Sequence, residues 1–363
     1  MGLLDKIFGK KEEQIQTYED FWNWFRANEM TFYKSVRKGD NIEKKFFNKL
    51  SPKLGELKEG FFYLTGMYDD NVAELIFTAD GVLKNIVFVE ELVSMAPMIP
   101  NWKFTALKPA TSMGSNSIKM EDFTFSTENL SFYSIEYKNY PDEIDIVIVY
   151  NDYKGKHIST ITSGVYIFLD NYLGELNAVT TIDNLTIISK AQAEKELIPI
   201  AKLKDYLIWR EKEFIEKYNG VRYNTENDNY SGFEAILDNG LPLLAIINTT
   251  LLDWDSKASH PWILSVTVQF DGNNKGMPDD STHELLDRFE DEILSELKDF
   301  EGYLNIGRQT ADSKRIIYFA CKDFRKPSKV LHELEKNYSG ILNLTHDIYK
   351  DKYWQSFERF RSN

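Results

Sequence analysis

The stretch Trp262–Phe300, WILSVTVQFDGNNKGMPDDSTHELLDRFEDEILSELKDF, reads as a strand, a turn-rich loop and a helix. From Trp262 to Phe270 every second residue is apolar, and this alternation is typical of a strand that buries one face. The loop that follows contains Gly272, Gly276 and Pro278, residue types that interrupt regular structure. The stretch therefore predicts a sheet with a helix packed against it.

The second half of this stretch predicts an amphipathic helix. Asp280 or Ser281 can cap its start, and Glu284 lies where a capping box places its acidic partner. The apolar residues recur at helical spacing, and they are Leu285, Leu286, Phe289, Ile293, Leu294 and Leu297. The opposite face is almost entirely acidic. We therefore expect the apolar side chains to form the inner surface of a C-terminal unit, with the carboxylates in water.

The order of the predicted elements indicates an α+β protein of two domains, each a mainly antiparallel sheet with helices on one face. A chain of 363 residues is too long for one ordinary core. We predict an N-terminal helical segment at 1–58, an α+β domain of unknown function at 59–189, a helical connector at 190–218 and a second α+β domain at 219–363. From Ile263 onward the order is strand–helix–strand–strand–helix–strand, which is the ferredoxin-like order.

The distribution of charge bears on the choice of partner. The net charge is −14, and residues 271–301 alone hold 11 acids and 3 bases. Such a field repels nucleic-acid phosphates and favours a basic protein, so we expect no nucleic-acid partner. The candidate partner-binding residues are Asp287, Glu290, Asp291 and Glu292. The alternative is that these residues only form a solvated helix surface.

Cysteine content and hydropathy bear on the compartment. Cys321 is the single cysteine, so the chain forms no internal disulfide, and we expect a cytoplasmic protein. No run approaches the roughly 18 uninterrupted apolar residues of a membrane helix, so we expect no transmembrane segment. Residues Met1–Lys11 lack the apolar core of a secretory signal. They form either a short amphipathic foot on a membrane surface or a terminus that is frayed or docked.

The common motifs of enzymes and metal sites are missing from the sequence. No G-x-S-x-G, phosphate-binding loop or G-x-G-x-x-G occurs. The segment from His283 to Asp287 approaches the zinc motif HExxH, but helix capping explains its Glu284. The sequence therefore singles out no catalytic residue and no cofactor.

Two further candidates have ordinary structural explanations. The acids Asp271, Asp279 and Asp280 lack the spacing of a calcium-binding loop, and turns and helix caps account for them. Cys321 ends a predicted strand, and a nucleophilic thiol would need a histidine that the sequence does not place beside it, so we expect a buried packing residue. Neither feature predicts a metal or a nucleophile.

The C-terminal third contains several short motifs, which are Pro261-Trp262 opening a strand, Gly276-Met277-Pro278 before the helix, Leu285–Glu290 inside it, the hairpin strand Arg315–Phe319 and the terminal Asp351-Lys352-Tyr353-Trp354. In these motifs, residues from roughly 230 to 360 resemble a bacterial family known as domain of unknown function 695. That family is similar, in its late hairpin, helix and terminal Asp–Trp, to the ribonuclease E regulator B proteins, which are small ferredoxin-like inhibitors. The resemblance implies no catalytic residue.

Two functions of different classes fit these observations. The first is a non-catalytic protein-interaction or regulatory module, indicated by the missing motifs, the acidic helix and a polar sheet face at Ser265, Thr267 and Gln269. The second is an enzyme of unknown reaction with a site between the two domains, because ligands commonly bind in such clefts. We favour the first.

Overall fold

The computed structural model describes residues 14–111 and 117–361. It confirms the predicted α+β class, with several sheets and helices. Within those two ranges no helix combines the length and the hydropathy needed to cross a membrane. The amphipathic foot predicted at Met1–Lys11 lies outside the described residues.

The helices and strands follow in chain order. The α-helices are α1 (Tyr18–Lys38), α2 (Asn48–Leu57), α3 (Leu83–Ser94), α4 (Ile158–Leu173), α5 (Glu175–Thr180), α6 (Leu203–Tyr218), α7 (Thr249–Leu252), α8 (Asp280–Glu296) and α9 (Arg325–Asn337). The strands are β1 (Phe62–Met67), β2 (Ala73–Thr78), β3 (Trp102–Ala106), β4 (Ile118–Met120), β5 (Phe123–Phe125), β6 (Leu130–Tyr137), β7 (Tyr140–Tyr150), β8 (Asn184–Ser189), β9 (Ile198–Pro199), β10 (Tyr230–Ile236), β11 (Pro242–Asn248), β12 (Trp262–Gln269), β13 (Tyr303–Ala311), β14 (Lys314–Cys321) and β15 (Asn343–Lys350).

The chain divides into two compact units. Unit 1 comprises Met1–Pro109 and Gly174–Leu176, and unit 2 comprises Ala110–Leu173 and Asn177–Asn363. These limits differ from the predicted boundaries at 59, 190 and 219. The predicted division into domains stays a prediction.

Unit 1 packs an aromatic helix on a three-stranded sheet in the order β1-β2-β3. Helix α1 begins at a capping box formed by Thr17 and Asp20. Its Phe21 and Trp22 are buried and contact the ring of Phe77 on β2. The aromatic stripe of α1 is therefore core, as its helical spacing indicates.

One buried carboxylate holds the short segment Gly174–Leu176 in unit 1. The side chain of Glu175 is fully buried and accepts hydrogen bonds from the Thr78 hydroxyl at 2.6 Å and from the backbone amides of Ala79, Gly81 and Lys108 at 3.0–3.1 Å. Four donors satisfy the charge away from water, as a buried carboxylate requires.

The first part of unit 2 contains a four-stranded sheet in the order β8-β7-β6-β9. The central strand β7 packs its apolar residues against α4, where Val165 and Phe168 are fully buried. Helix α4 approaches the β4–β5 hairpin so closely that a Cβ at Gly164 would lie 2.1 Å from the ring of Phe125. The strands predicted as one sheet over 59–189 thus belong to separate sheets.

The predicted connector at 190–218 is a regular helix only in its second half. Helix α6 begins at Leu203, whereas Ile198 and Pro199 form β9 and pair with β6. Pro199, which has no backbone N–H to donate, lies at the edge of the sheet, and this is where proline is tolerated in strands.

The last part of unit 2 is a six-stranded sheet in the order β10-β11-β13-β14-β12-β15, with antiparallel neighbours throughout. The predicted order strand–helix–strand–strand–helix–strand is present as β12, α8, β13, β14, α9 and β15. The alternation of β12 is also confirmed, because Trp262, Leu264, Val266 and Val268 are buried. Strands β10 and β11 extend the β13 edge of this arrangement.

The second face of this sheet is less open than predicted. Ser265 and Thr267 are half-buried, and only Gln269 of the three is exposed. After β15 the 3-10 helix Gln355–Phe360 brings Phe357 and Phe360 into a core cluster with Ile263. The C-terminal segment therefore covers part of the face that the sequence left open.

Candidate interaction surface

Helix α8 begins with a side-chain cap and follows a loop that packs closely against the β13–β14 turn. Asp279 caps the helix, because its carboxylate accepts a hydrogen bond from the Thr282 amide at 2.8 Å. The cap is one residue earlier than the predicted Asp280 or Ser281. Gly276 has φ +70°, and a Cβ there would lie 2.9 Å from the Cα of Asp312 in the β13–β14 turn. Only glycine fits this approach without strain.

Two arginines of the sheet form ion pairs with the carboxylates of α8 that face the sheet. The guanidinium of Arg308 on β13 donates to Glu290 at 2.6 Å, and that of Arg315 on β14 donates to Asp287 at 2.7 Å. Arg308 also lies 3.5 Å from Asp287. Burial opposes ionisation of Asp287, but the hydrogen bond from Arg315 and the charges of both arginines outweigh it and lower the pKa of Asp287.

The expectation that the carboxylates of α8 lie in water is wrong for Glu290. This residue is only 7% exposed and is ion-paired with Arg308. Asp287 is half-buried, whereas Asp291 and Glu292 are exposed. A carboxylate that is buried with a partner cannot be distinguished in a sequence from one that lies in water.

The four predicted acids lie on two sides of α8. Glu292 accepts a hydrogen bond from the Tyr338 hydroxyl at 2.7 Å, so it faces the end of α9. Asp287 and Glu290 face Arg308 on the opposite side, toward β11. Asp291 follows Asp287 by one helical turn and lies above it on that side. Their role in partner binding stays a prediction.

The sheet beyond α8 exposes apolar side chains. Directly opposed residues of antiparallel strands share a face, and the register pairs Ile246 with Arg308 and Leu244 with Thr310. Because Arg308 bonds to α8, Leu244 and Ile246 lie on the α8 face of the sheet. They are 44% and 45% exposed.

Strand β10 continues the same face to the edge of the sheet. Its Glu234 pairs with Leu244 and its Ile236 with Pro242, and Tyr230 pairs with Asn248. Ile236 and Tyr230 are exposed, at 73% and 48%. We call the surface made of Tyr230, Ile236, Leu244 and Ile246, with the Asp287 and Asp291 side of α8 above it, the shelf.

The shelf is apolar on its floor and acidic at its rim. Asp287, Glu290 and Asp291 of α8 lie on one side of the apolar residues, and Glu234 lies on the edge strand β10. Arg308 and Arg315 are ion-paired with Glu290 and Asp287. The shelf therefore carries more negative than positive charge. It suits a ligand with apolar and basic groups.

A second group of charged residues in unit 2 was not foreseen from the sequence. Asp183 forms ion pairs with Lys350 and Lys352, each at 2.7 Å. Lys352 also donates to the backbone carbonyl of Asp142 at 2.6 Å. We call Asp142, Glu143, Asp183, Lys350 and Lys352 the lysine–carboxylate cluster.

Tyrosine and amide side chains complete this cluster. Asp142 accepts hydrogen bonds from the hydroxyls of Tyr218 and Tyr353 at 2.7 and 2.6 Å and is ion-paired with Lys217 at 2.8 Å. Glu143 accepts a hydrogen bond from the Gln355 amide at 2.6 Å. The cluster therefore ties the chain after β15 to the start of β7.

The electrostatics of the cluster follow from its burial. Burial first, and then the charges of Asp145 and Asp183, raise the pKa of Glu143 to about 7. Burial also lowers the pKa of Lys350 to about 8, although the charge of Asp183 opposes this. Such shifts occur at catalytic sites and also in structural ion-pair networks.

The remaining titratable candidates are inert. Cys321 is fully buried, and burial raises the pKa of its thiol, so it lacks the character of a nucleophile. Burial lowers the pKa of His260 to about 3 and leaves the ring neutral. Residues 14–111 and 117–361 contain no group of three His, Cys, Asp or Glu side chains able to hold a metal ion.

Comparison with known proteins gives one family. Residues 238–361 match the model of a family described as a family of unknown function, DUF695. This is the resemblance noted in the sequence, and it covers β11, α8 and the rest of the six-stranded sheet except β10. Neither the curated proteins nor the solved structures include a match to this chain.

Proposed function

We propose that this protein is a non-catalytic protein-interaction module that binds a partner on the shelf. The observation that carries the proposal is the exposure of Leu244 and Ile246 on the face of the sheet that α8 covers farther along, at β13 and β14. Folded proteins rarely leave adjoining large apolar residues exposed on a sheet without a use for them. The acidic rim adds a preference for basic partners.

The dimensions of the shelf favour an amphipathic helix as the bound element. Neighbouring strands are about 4.8 Å apart, so β10 and β11 offer roughly 10 Å of sheet width beside α8. Packed helices keep axial distances of about 8–10 Å. One helix with apolar residues toward Leu244 and Ile246, and lysine or arginine toward Asp291, would extend the layer of α8 and α9.

We also propose that the protein has a regulatory role and is cytoplasmic. The similarity of the DUF695 family to the ribonuclease E regulator B proteins, which stays an expectation from the sequence, agrees with a regulatory role, because those proteins are inhibitors. The single cysteine, Cys321, supports a cytoplasmic location.

A designed peptide tests the shelf directly. The probe is a synthetic amphipathic helix of leucine and lysine, titrated into the full chain and into Leu244→Ser/Ile246→Ser. We expect binding to the wild type to be about tenfold tighter or more, since two apolar contacts are lost in the variant. Ile208→Ser/Ile215→Ser is the matched control, because it removes exposed isoleucines of α6.

The acidic rim is tested with the same titration. An analogue peptide with glutamate in place of lysine should bind more weakly to the wild type, and Asp291→Lys should reduce the difference between the two peptides. Equal affinity of the lysine peptide for the wild type and both double variants would remove the shelf as the binding surface. Asp287 and Glu290 are left unchanged, because their loss would strand Arg308 and Arg315.

The alternative function, an enzyme, would use the lysine–carboxylate cluster. The observation in its favour is the pair of shifted pKa values at Glu143 and Lys350. Its weakness is that Lys350 and Lys352 are already ion-paired with Asp183. Labelling with a small amine-reactive reagent at mildly alkaline pH discriminates the two, because Lys350 in an open site would react faster than an exposed lysine, and a structural Lys350 more slowly.

A further inference from the structure

One edge strand of the sheet in unit 1 carries no charged side chain. Strand β1 pairs with β2 and stands at one edge of the three-stranded sheet. Its sequence, FYLTGM, has no Lys, Arg, Asp or Glu. Edge strands usually carry charges, prolines or bulges that prevent pairing with another chain, and the described pairing of β1 with β2 is regular over all six residues.

The other sheet edges in the described ranges differ from β1. Strand β3 contains Lys103, β10 contains Glu234, and β15 contains Asp347 and Lys350. Strands β5, β8 and β9 are also uncharged. The apolar residues of β5 and β8 are at least partly buried, however, and β9 consists of two residues of which one is Pro199. Strand β1 therefore combines an uncharged edge with exposed apolar side chains.

One face of β1 exposes apolar groups while the other faces the core. Phe62 and Leu64 are each 50% exposed. Tyr63 and Thr65 alternate with them and lie opposite the buried Phe77 and Leu75. The exposure of Phe62 and Leu64 thus follows from strand alternation, which places them on the opposite face from Tyr63 and Thr65.

We propose that β1 is a self-association site, where β1 strands of two copies pair antiparallel and join their sheets. Charge favours a second copy as the occupant. Unit 1 holds 15 Lys/Arg and 17 Asp/Glu, so its net charge is −2, and the rest of the chain carries −12. Two copies that meet at unit 1 avoid most of the mutual repulsion that contact elsewhere would create.

The strand is also complementary to itself. A two-fold axis perpendicular to the sheet would set the Leu64 side chains of the two copies side by side, with both Phe62 residues on the same face. No like charges meet in such a pair, because the strand has none. Phe62 and Leu64 of both copies form one apolar stripe across the junction, and the β1 edge is no longer exposed.

Sedimentation velocity on the full chain tests this proposal. We expect a concentration-dependent dimer for the wild type and a monomer for Leu64→Lys, which introduces two facing charges at the junction. Ile236→Lys is the matched control, because it places a lysine at an exposed position of the β10 edge strand. This control should dimerise like the wild type.

Hydrogen exchange provides a readout that needs no variant. The amides of 62–67 should become protected as the wild-type concentration rises, and those of 230–236 should not. A wild type that stays monomeric up to its solubility limit would overturn the proposal. A dimer that survives Leu64→Lys but is broken by Ile236→Lys would overturn it as well.

Discussion

At the scale of single residues, this protein is marked by charged side chains that are buried with partners. Glu175 is held by four donors, Glu290 by Arg308, and Asp183 by two lysines. A buried charge is tolerated when it is paired and hydrogen-bonded, and it is costly when one partner is removed. Substitutions at these residues are therefore more informative than substitutions on the solvated surface.

The first prediction concerns Arg315 under α8. Arg315→Met should lower the free energy of unfolding by about 2–3 kcal/mol, because Arg315 is buried and Asp287 loses its main hydrogen-bond donor. Urea denaturation measures the change. Lys336→Met, which breaks an exposed pair with Glu333, should change the free energy by less than about 0.5 kcal/mol. Equal effects would show that the network under α8 contributes little.

The second prediction concerns the pH dependence of stability at Glu143. Its pKa is raised from the ordinary value of 4.5 to about 7 in the folded protein, so between these values the folded state binds more protons than the unfolded state. The contribution of Glu143 to stability therefore falls as the pH rises through this window. Glu143→Gln keeps an acceptor for Gln355 but does not titrate.

The measurement is the free energy of unfolding of wild type and Glu143→Gln at about pH 5 and about pH 8. We expect the variant to gain stability relative to the wild type on going to the higher pH. A difference that is the same at both pH values would mean that Glu143 keeps an ordinary pKa.

At the scale of elements, the sequence was sufficient where one periodic pattern decided the outcome. The alternation of β12 and the apolar stripe of α8 predicted the buried Val266 and Phe289, and both are fully buried. The sequence was insufficient where partners lie far apart in the chain. Glu290 has the position of a solvated acid on α8, and its partner Arg308 is 18 residues away on β13.

The candidate interaction surface was also predicted only in part from the sequence. The sequence singled out the acids of α8, but the apolar floor at Leu244 and Ile246 depends on β11 pairing with β13, which no local pattern reports. The lysine–carboxylate cluster joins β7, Asp183 and the motif Asp351-Lys352-Tyr353-Trp354. That motif was visible in the sequence, but its contacts with Asp142 required the tertiary structure.

The third prediction concerns the loop that positions α8. Gly276→Ala should lower the free energy of unfolding by about 1–3 kcal/mol, because the new Cβ meets the Asp312 backbone and φ is positive. Gly240→Ala is the control, since Gly240 has φ +81° with open space around it. This substitution should lower the free energy of unfolding by only about 1 kcal/mol. Chemical denaturation compares the two, and a smaller loss for Gly276→Ala would contradict the close approach.

At the scale of the whole molecule, unit 2 is held together by polar as well as apolar contacts. The C-terminal segment packs Trp354 and Phe357 into one core cluster and sends Lys352 and Tyr353 to Asp142. The six-stranded sheet and the four-stranded sheet of unit 2 are thereby joined. The shelf lies on the opposite face of the six-stranded sheet from Trp354 and Phe357.

The fourth prediction concerns this connection. Lys352→Met should lower the free energy of unfolding of the protein by about 3 kcal/mol and increase proteolytic cleavage after residue 350, because Asp183 loses one of its two buried partners. Lys217→Met removes the half-exposed lysine on Asp142 and should cost less than about 1 kcal/mol. Unchanged proteolysis in Lys352→Met would indicate that the apolar contacts hold the segment alone.

The most direct test of the shelf is hydrogen exchange of the full chain with and without the leucine–lysine peptide. Binding on the shelf should slow exchange at β10, β11 and the middle of α8 around Asp287 and Asp291, while β1 and α6 remain unchanged. Protection confined to other elements, or none at saturating peptide, would contradict the proposed function.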